Sequence, residues 1–296
     1  MTQNLSSELF DYDPAPPFDA VERSLGERDG LHWMHITFRG GDGRVVPAIY
    51  VASSTVHGPA PAILLQHGAG TSKYARFVLA CIQALAQNGY ACMATDAIGH
   101  GEREDAVSPD DEAEWRRVRA NPEFTLRNVI DFRRALDYLS SRPDVDANRL
   151  AYAGSSMGAM LGAVFCAVDP RPSVVILRCA GARADITETA QLNHVRYVGA
   201  IAPRPVLMLN NTEDEVFRRE SVLRLYDAVG EPKELRWFPG DHRANHDLHA
   251  AECLEWLDRW LPRDTSNELS SLGSTRNPKR SAASPPHAGE RAPYGE

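Results

Sequence analysis

The chain has 296 residues, of which 43% are hydrophobic and 24% charged, as in an ordinary soluble globular protein. This composition excludes a mainly disordered chain, and the length suits one α/β domain of about 250 residues with some additional sequence. A net charge of −8 provides no general attraction to nucleic acids or anionic lipids, and the N-terminus lacks the basic and apolar regions of a signal peptide. We therefore expect a cytoplasmic protein with neither a nucleic-acid nor a membrane partner.

The first predicted elements follow a polar, proline-containing leader at residues 1–25, which shows no clear periodicity. Residues 31–38 and 44–51 are β-rich runs, and the "RGGDG" between them contains the Asp-Gly and Gly-Gly steps of tight turns. We predict that these two runs form an antiparallel hairpin at the start of a sheet.

After this hairpin, short apolar runs alternate with longer helical segments. The apolar runs are residues 61–66, 90–95, 149–153, 173–178, 205–210 and 233–238. The helix candidates are residues 73–88, 124–141, 157–168, 218–229 and 247–261. Parallel strands need crossover connections and are buried on both faces, so this alternation predicts an α/β fold. We expect an eight-stranded, mostly parallel sheet with helices on both faces.

The predicted domain spans residues 26–263, and the composition changes at its end. Residues 264–296 are rich in Ser, Pro, Gly and charge and contain almost no large apolar side chains. Such a segment buries too little surface to offset the entropy of ordering. We predict that it is a disordered C-terminal tail without a catalytic part.

The sequence "GSSMG" at residues 154–158 lies between a predicted strand and a predicted helix and fits the pattern G-x-S-x-G. Glycines at both flanks allow the close approach of strand and helix at a sharp turn. Ser156 is therefore the candidate nucleophile, and Ser155 is interpreted as a small spacer. The alternative is that the motif is only a packing turn.

A serine nucleophile needs a histidine base oriented by a carboxylate, and in this topology the chain order is serine, acid, histidine. The acid should follow the run at 205–210, where Asp214 is the candidate among three neighbouring acidic residues that could instead form a solvated loop. The base should follow the last strand, where His242 comes directly after a Pro-Gly-Asp turn. We interpret His246 and His249 as surface or helix-start residues.

A metal site is an alternative interpretation of the His-rich segment, since His242, His246, Asp247 and His249 have spacings that can share a helix face. That interpretation leaves the order of Ser156 and Asp214 unexplained. We therefore expect no metal and no cofactor.

Acyl transfer also requires donors aimed at the developing oxyanion. One candidate is the backbone N–H of Met157, which follows the nucleophile. The other is the N–H of Ala69 in "HGAG" (residues 67–70), where small residues let the backbone approach a substrate. His67 at the start of this loop is interpreted as a bracing residue.

With these motifs in this order, the sequence resembles the α/β-hydrolase superfamily over roughly residues 28–262. "DAIGHG" at residues 96–101 is similar to the segment after the fourth strand in many members. The hairpin at the start of the sheet and the near absence of a cap resemble bacterial esterases related to dienelactone hydrolases and to the catalytic domain of prolyl-oligopeptidase-type enzymes. This resemblance implies a serine esterase of the α/β-hydrolase fold.

Two differences from those groups narrow the expected reaction. Dienelactone hydrolases have a cysteine where this chain has Ser156, and prolyl-oligopeptidase relatives carry a propeller that the roughly 30 residues before the first predicted strand cannot form. The two sizeable inserts, an acidic one at 101–123 and another at 179–204, do not resemble an apolar lipase lid. We expect a small-molecule ester of small to medium acyl chain as substrate. Amide or peptide cleavage or acyl transfer on the same residues is the alternative, followed by a non-catalytic binding protein.

Overall fold

The computed structural model describes most of the chain between residues 7 and 263, with short gaps. The described residues are 7–263 except 56–57, 109, 112, 115–116, 119–120, 122 and 183–191. The predicted tail at 264–296 lies outside them and stays a prediction.

The described residues form one nine-stranded sheet with the strand order β1-β2-β3-β5-β4-β6-β7-β8-β9. The strands are β1 (Val21–Arg28), β2 (Leu31–Arg39), β3 (Val45–Ser53), β4 (Ala60–Gln66), β5 (Ala91–Thr95), β6 (Val145–Ser155), β7 (Pro172–Arg178), β8 (Val206–Asn211) and β9 (Lys233–Phe238). The hairpin β2–β3 is antiparallel, with Leu31 opposite Ser53 and Arg39 opposite Val45. From β5 to β9 every neighbouring pair is parallel. The predicted mostly parallel sheet is confirmed.

The predicted count of eight strands is wrong by one, because β1 pairs antiparallel with β2 at the edge of the sheet. Seven of its eight residues are exposed, so it lacks the apolar alternation by which a half-buried strand is recognised. The predicted leader therefore ends inside a strand. Upstream of β1, Phe10 is fully buried and contacts Tyr197 edge to face, with ring centroids 6.0 Å apart.

The sheet is covered on both faces. The described helices are α1 (Arg76–Ala86), α2 (Glu123–Ser141), α3 (Met157–Val168), α4 (His194–Tyr197), α5 (Arg219–Ala228) and α6 (His246–Trp260). Apolar side chains of α1 and α6 pack against one face, and those of α2, α3 and α5 pack against the other. Strand β4 serves both cores, with Ile63 and Leu65 on one side and Leu64 on the other. Each such side chain contributes roughly 1.5–3 kcal/mol by leaving water.

None of the helices within the described residues has the length and apolar character needed to span a bilayer.

The parallel strands end at one edge of the sheet, where the loops after β4, β6, β8 and β9 carry the predicted site residues. In open α/β sheets this carboxyl edge is where ligands bind. The topology thus brings together residues that are far apart in the sequence.

Candidate active site

The turn between β6 and α3 holds Ser156 in a backbone conformation that non-glycine residues rarely adopt. Its φ is 54° and its ψ is −111°. The flanking glycines permit this turn: a Cβ on Gly154 would lie 2.5 Å from the carbonyl of Gly158, and one on Gly158 would lie 2.6 Å from the carbonyl oxygen of Gln66. Strained backbone of this kind persists where the surroundings enforce it, often at functional sites. We call residues 154–158 the elbow.

Ser156, His242 and Asp214 form a continuous hydrogen-bonded chain at the sheet edge. The Ser156 hydroxyl donates to Nε2 of His242 across 3.0 Å. Nδ1–H of the same ring donates to Oδ2 of Asp214 across 2.7 Å. The structure therefore brings together the three residues predicted from chain order, at distances suitable for proton transfer.

The environment of Asp214 favours its ionised form. Its side chain is 1% exposed, and this burial raises the carboxyl pKa. The hydrogen bond from His242 and those from the backbone N–H groups of Phe217 and Val216, each 2.8 Å from Oδ1, outweigh that effect. The resulting pKa of Asp214 is below its usual value, so the carboxylate stays charged beside the imidazole.

The loop after β4 (residues 67–70, the glycine loop) lies directly against the nucleophile. A Cβ on Gly68 would be 3.4 Å from Cβ of Ser156. Ala69 and Met157 both line the cavity into which Ser156 opens. Both residues that are predicted to supply oxyanion donors thus line the same cavity as Ser156.

Two buried histidines connect the glycine loop to the loop after β5. His67 donates through Nδ1 to the carbonyl of Gly68 (2.8 Å) and accepts at Nε2 from the N–H of Ala97 (3.1 Å). His100 accepts at Nε2 from the N–H of Gly70 (3.1 Å). Because each Nε2 is an acceptor, both rings must be neutral. His67 thus has the bracing position predicted for it.

A buried ion pair supports the same region. Nζ of Lys73 is fully buried, 2.6 Å from Oδ2 of Asp96 and 3.0 Å from Oε1 of Glu102. Asp96 also accepts from the N–H groups of Lys73 and Glu102. Removing one partner would leave an uncompensated buried charge, so this pair fixes the segment after β5 against the residues that follow the glycine loop.

Because the protein buries neutral histidines, we expect its free energy of unfolding to fall in weak acid. Burial, reinforced by His100, lowers the pKa of His67 to about 4, and burial with the nearby Arg178 cation lowers that of His249 to about 3. Both pKa values return to about 6.5 on unfolding, so the unfolded chain binds more protons below that pH. The free energy of unfolding should therefore fall from pH 6.5 to about 4, by up to about 1.4 kcal/mol per pH unit for each ring.

Urea titrations between pH 7.5 and 4.5 measure this dependence. We expect His67→Gln to flatten the slope and His32→Gln, at an exposed position, to leave it unchanged. A free energy of unfolding that is constant from pH 7 to pH 5 would contradict the prediction.

The cavity at Ser156 is predominantly apolar and has a volume of about 240 Å³. It is lined by Ala69, Phe124, Thr125, Ser156, Met157, Met160, Leu161, Val164, Leu192, His194, Val216, Phe217, His242 and Arg243. Leu192 and His194 come from the insert predicted at 179–204. Phe124 and Thr125 lie in the first turn of α2, which begins at Glu123 at the end of the acidic insert. The described lining therefore combines residues of α3 with residues from the start of α2 and from the insert at 179–204.

Two sequence interpretations at this edge need correction. His249, interpreted as a surface or helix-start residue, is fully buried, and its Nδ1 accepts from Nε of Arg178 across 2.9 Å. Ser155, interpreted as a spacer, accepts from Nη1 of Arg178 across 2.8 Å. Both corrections have one cause, a buried arginine at the end of β7 that the sequence analysis did not single out. The His242 ring is thus hydrogen-bonded to Ser156 and Asp214, whereas the His249 ring is hydrogen-bonded to Arg178.

Comparisons with known proteins agree with this fold. The model of the family described as "Alpha/beta hydrolase family" matches residues 62–289. The protein "Putative hydrolase YtaP" of Bacillus subtilis (strain 168) is 29% identical over 146 residues, covering 45% of this chain and 48% of its own. The chain thus spans about half the length of that relative. "Putative esterase YitV" of the same organism is 22% identical over 243 residues, covering 69% of this chain and 91% of its own.

A solved structure extends the similarity to most of the chain. A cold-adapted esterase from an Arctic intertidal metagenomic library superposes with a TM-score of 0.68 at 26% identity, covering 83% of this chain and 100% of that chain. The fold class predicted from the sequence is confirmed. The nine-stranded sheet, the elbow at the end of β6 and the match over residues 62–289 together show that the chain belongs to the alpha/beta hydrolase family.

Proposed function

We propose that the protein is a serine hydrolase that cleaves carboxylic esters of small to medium acyl chain. The observation that carries this proposal is the hydrogen-bonded chain from Ser156 through His242 to Asp214 at the mouth of an apolar cavity. The names of the cold-adapted esterase and of YitV support ester hydrolysis as the reaction class.

In the first half of the reaction, Oγ of Ser156 attacks the acyl carbon while Nε2 of His242 takes the hydroxyl proton. The resulting imidazolium is stabilised by the ionised Asp214, which also keeps Nδ1 of the ring as a donor. His242 then gives its proton to the leaving alcohol, and the acyl group remains on Ser156 as an ester. In the second half, His242 activates a water molecule that releases the carboxylic acid.

The negative charge that develops on the acyl oxygen needs preorganised donors. The N–H groups of Ala69 and Met157 are the proposed donors, since both residues line the cavity at Ser156. One such donor is worth roughly 3–4 kcal/mol of transition-state stabilisation. The bracing of the glycine loop by His67 and His100 keeps the first of them in place before substrate arrives.

The apolar wall of the cavity is the proposed acyl subsite. Leu161 and Val164 are buried side chains of α3 that line it. We expect Leu161→Phe to reduce this space and to lower kcat/KM for p-nitrophenyl octanoate about tenfold or more, because a medium chain then loses buried contacts worth about 0.8 kcal/mol per methylene. Turnover of p-nitrophenyl acetate in the same variant is the internal control and should change little. A proportional loss for both esters would contradict this assignment of the subsite.

The proposed function is tested with p-nitrophenyl esters from acetate to decanoate, compared with aminoacyl anilides. We expect ester turnover with a maximum at a short or medium chain. Faster turnover of the anilides would favour amide cleavage on the same residues. Absence of both activities, together with no labelling by a fluorophosphonate, would contradict a hydrolase function.

A further inference from the structure

Arg178, the last residue of β7, lies between the elbow and the loop that carries His242. Its side chain is buried, and the residue is only 2% exposed. Strand β7 pairs with β6, which leads into the elbow, and on its other side with β8. The guanidinium is therefore placed at the centre of the sheet edge, between the two loops that must meet for proton transfer.

The guanidinium contacts both of these loops directly. Nη1 donates to the Ser155 hydroxyl on the elbow side (2.8 Å), and Nη2 donates to the carbonyl of Ala244 (2.7 Å) and more weakly to that of His242 (3.4 Å). The backbone carbonyl of Arg178 also accepts from the N–H of Ser156 across 2.8 Å. One residue thus holds the nucleophile's neighbour, the nucleophile's own N–H and the loop of the base.

The remaining contacts fix the plane of the guanidinium. Nε donates to Nδ1 of His249 on α6 (2.9 Å), and the guanidinium carbon lies 5.2 Å from the centroid of the Phe77 ring on α1. All of the hydrogen-bond acceptors that the described residues offer to Arg178 are uncharged. Burying a cation among neutral acceptors is unfavourable for folding, whereas a planar fork of donors holds several groups at once.

The geometry points to Arg178 as a positioning residue that sets the distance between the elbow and the loop of His242. This inference rests on the proposed function, since it concerns the reaction of Ser156. Without the fork, the elbow and the histidine loop lose their direct side-chain link, and the 3.0 Å contact from Ser156 to His242 is less populated. A displacement of about 1 Å in a reacting group lowers turnover about 100-fold.

Arg178→Lys is the first test, because lysine keeps the charge but cannot donate in one plane to both loops. We expect kcat for p-nitrophenyl butyrate to fall about 10- to 100-fold while KM changes less than about threefold. Arg204→Lys is the matched control: like Arg178, Arg204 donates to uncharged acceptors, in its case backbone carbonyls that include that of Pro172 at the opposite end of β7 (3.0 Å). The Arg204→Lys variant should keep the kcat of the wild type, even if its melting temperature falls by as much as that of Arg178→Lys.

Ser155→Ala is the second test and removes one contact while leaving the guanidinium in place. We expect roughly a threefold to tenfold lower kcat, and no further loss when this change is added to Arg178→Lys, because the two residues share the interaction. Ser173→Ala is its control, since that hydroxyl donates to the carbonyl of Leu150 (3.0 Å) far from the elbow.

The inference is overturned if Arg178→Lys has the same kcat as Arg204→Lys, or if Ser155→Ala has the same kcat as Ser173→Ala. The second comparison stands alone if Arg178→Lys does not fold. In either case the wild-type protein still turns over the ester. A wild-type protein without ester turnover contradicts the proposed function instead, so the two failures are distinguishable.

Discussion

Ser156→Ala should abolish measurable ester hydrolysis, with kcat lowered about 10⁴- to 10⁶-fold. The variant removes the oxygen that bonds to the acyl carbon, and no other hydroxyl has the same hydrogen bond to Nε2 of His242 among the described residues. Alanine can keep the turn, because it carries the same Cβ as serine and therefore meets the same steric cost at a φ of 54°. Folding should therefore be retained, as judged by circular dichroism and the melting temperature.

A fluorophosphonate probe separates the two adjacent serines. Intact mass spectrometry should show one adduct on the wild-type protein and on Ser155→Ala, and none on Ser156→Ala. Peptide mapping should place the adduct on Ser156. An adduct on Ser155, or turnover by Ser156→Ala within tenfold of the wild type, would overturn the proposed mechanism.

Asp214→Asn should lower kcat about 10⁴-fold with little change in KM. Asp214 accepts from Nδ1–H of His242, and this bond keeps Nε2 free to accept the serine proton. An amide in the same place can donate to Nδ1, which turns Nε2 into a donor and removes the base. The ionised carboxylate that stabilises the imidazolium is lost as well.

Glu215→Gln is the matched control for this change, because it neutralises the next carboxylate in the same loop. Oε2 of Glu215 accepts from the backbone N–H of His242 across 3.1 Å, and glutamine preserves an acceptor there. Steady-state kinetics should show turnover within a few-fold of the wild type. Equal losses in the two variants would show that loop charge, and not the orientation of His242, determines the rate.

Sequence patterns predicted the interior of the fold well. The runs that became β4, β5 and β7 are almost continuously apolar because both faces of those strands are covered. Strand β1 was missed for the opposite reason, since nearly all of its side chains are exposed and its strand conformation depends on pairing with β2. Although β2 begins only three residues after β1 ends, the polar, exposed side chains of β1 give no hydrophobic alternation that would reveal the strand.

In the candidate site, too, some residues could be predicted from the sequence and others could not. Ser156, Asp214 and His242 were predictable because the chain order of this topology determines which strand each residue follows. Arg178 and His249 were not, because their roles depend on a contact across 71 positions of the chain between the end of β7 and the inner face of α6. An arginine that ends an apolar strand was the one available signal, and by itself it does not identify a partner.

Strand β1 also has a consequence for how this protein avoids self-association. An unpaired sheet edge can template the addition of strands from other molecules, and β2, with its Trp, Met, Ile and Phe, would be such an edge. The outer strand instead carries Glu22, Arg23, Glu27 and Arg28 on exposed positions and is interrupted by a register shift between Ser24 and Gly26. Charge and an irregular hydrogen-bond ladder both oppose intermolecular pairing. The segment that looks like a dispensable polar leader thus shields the sheet from aggregation.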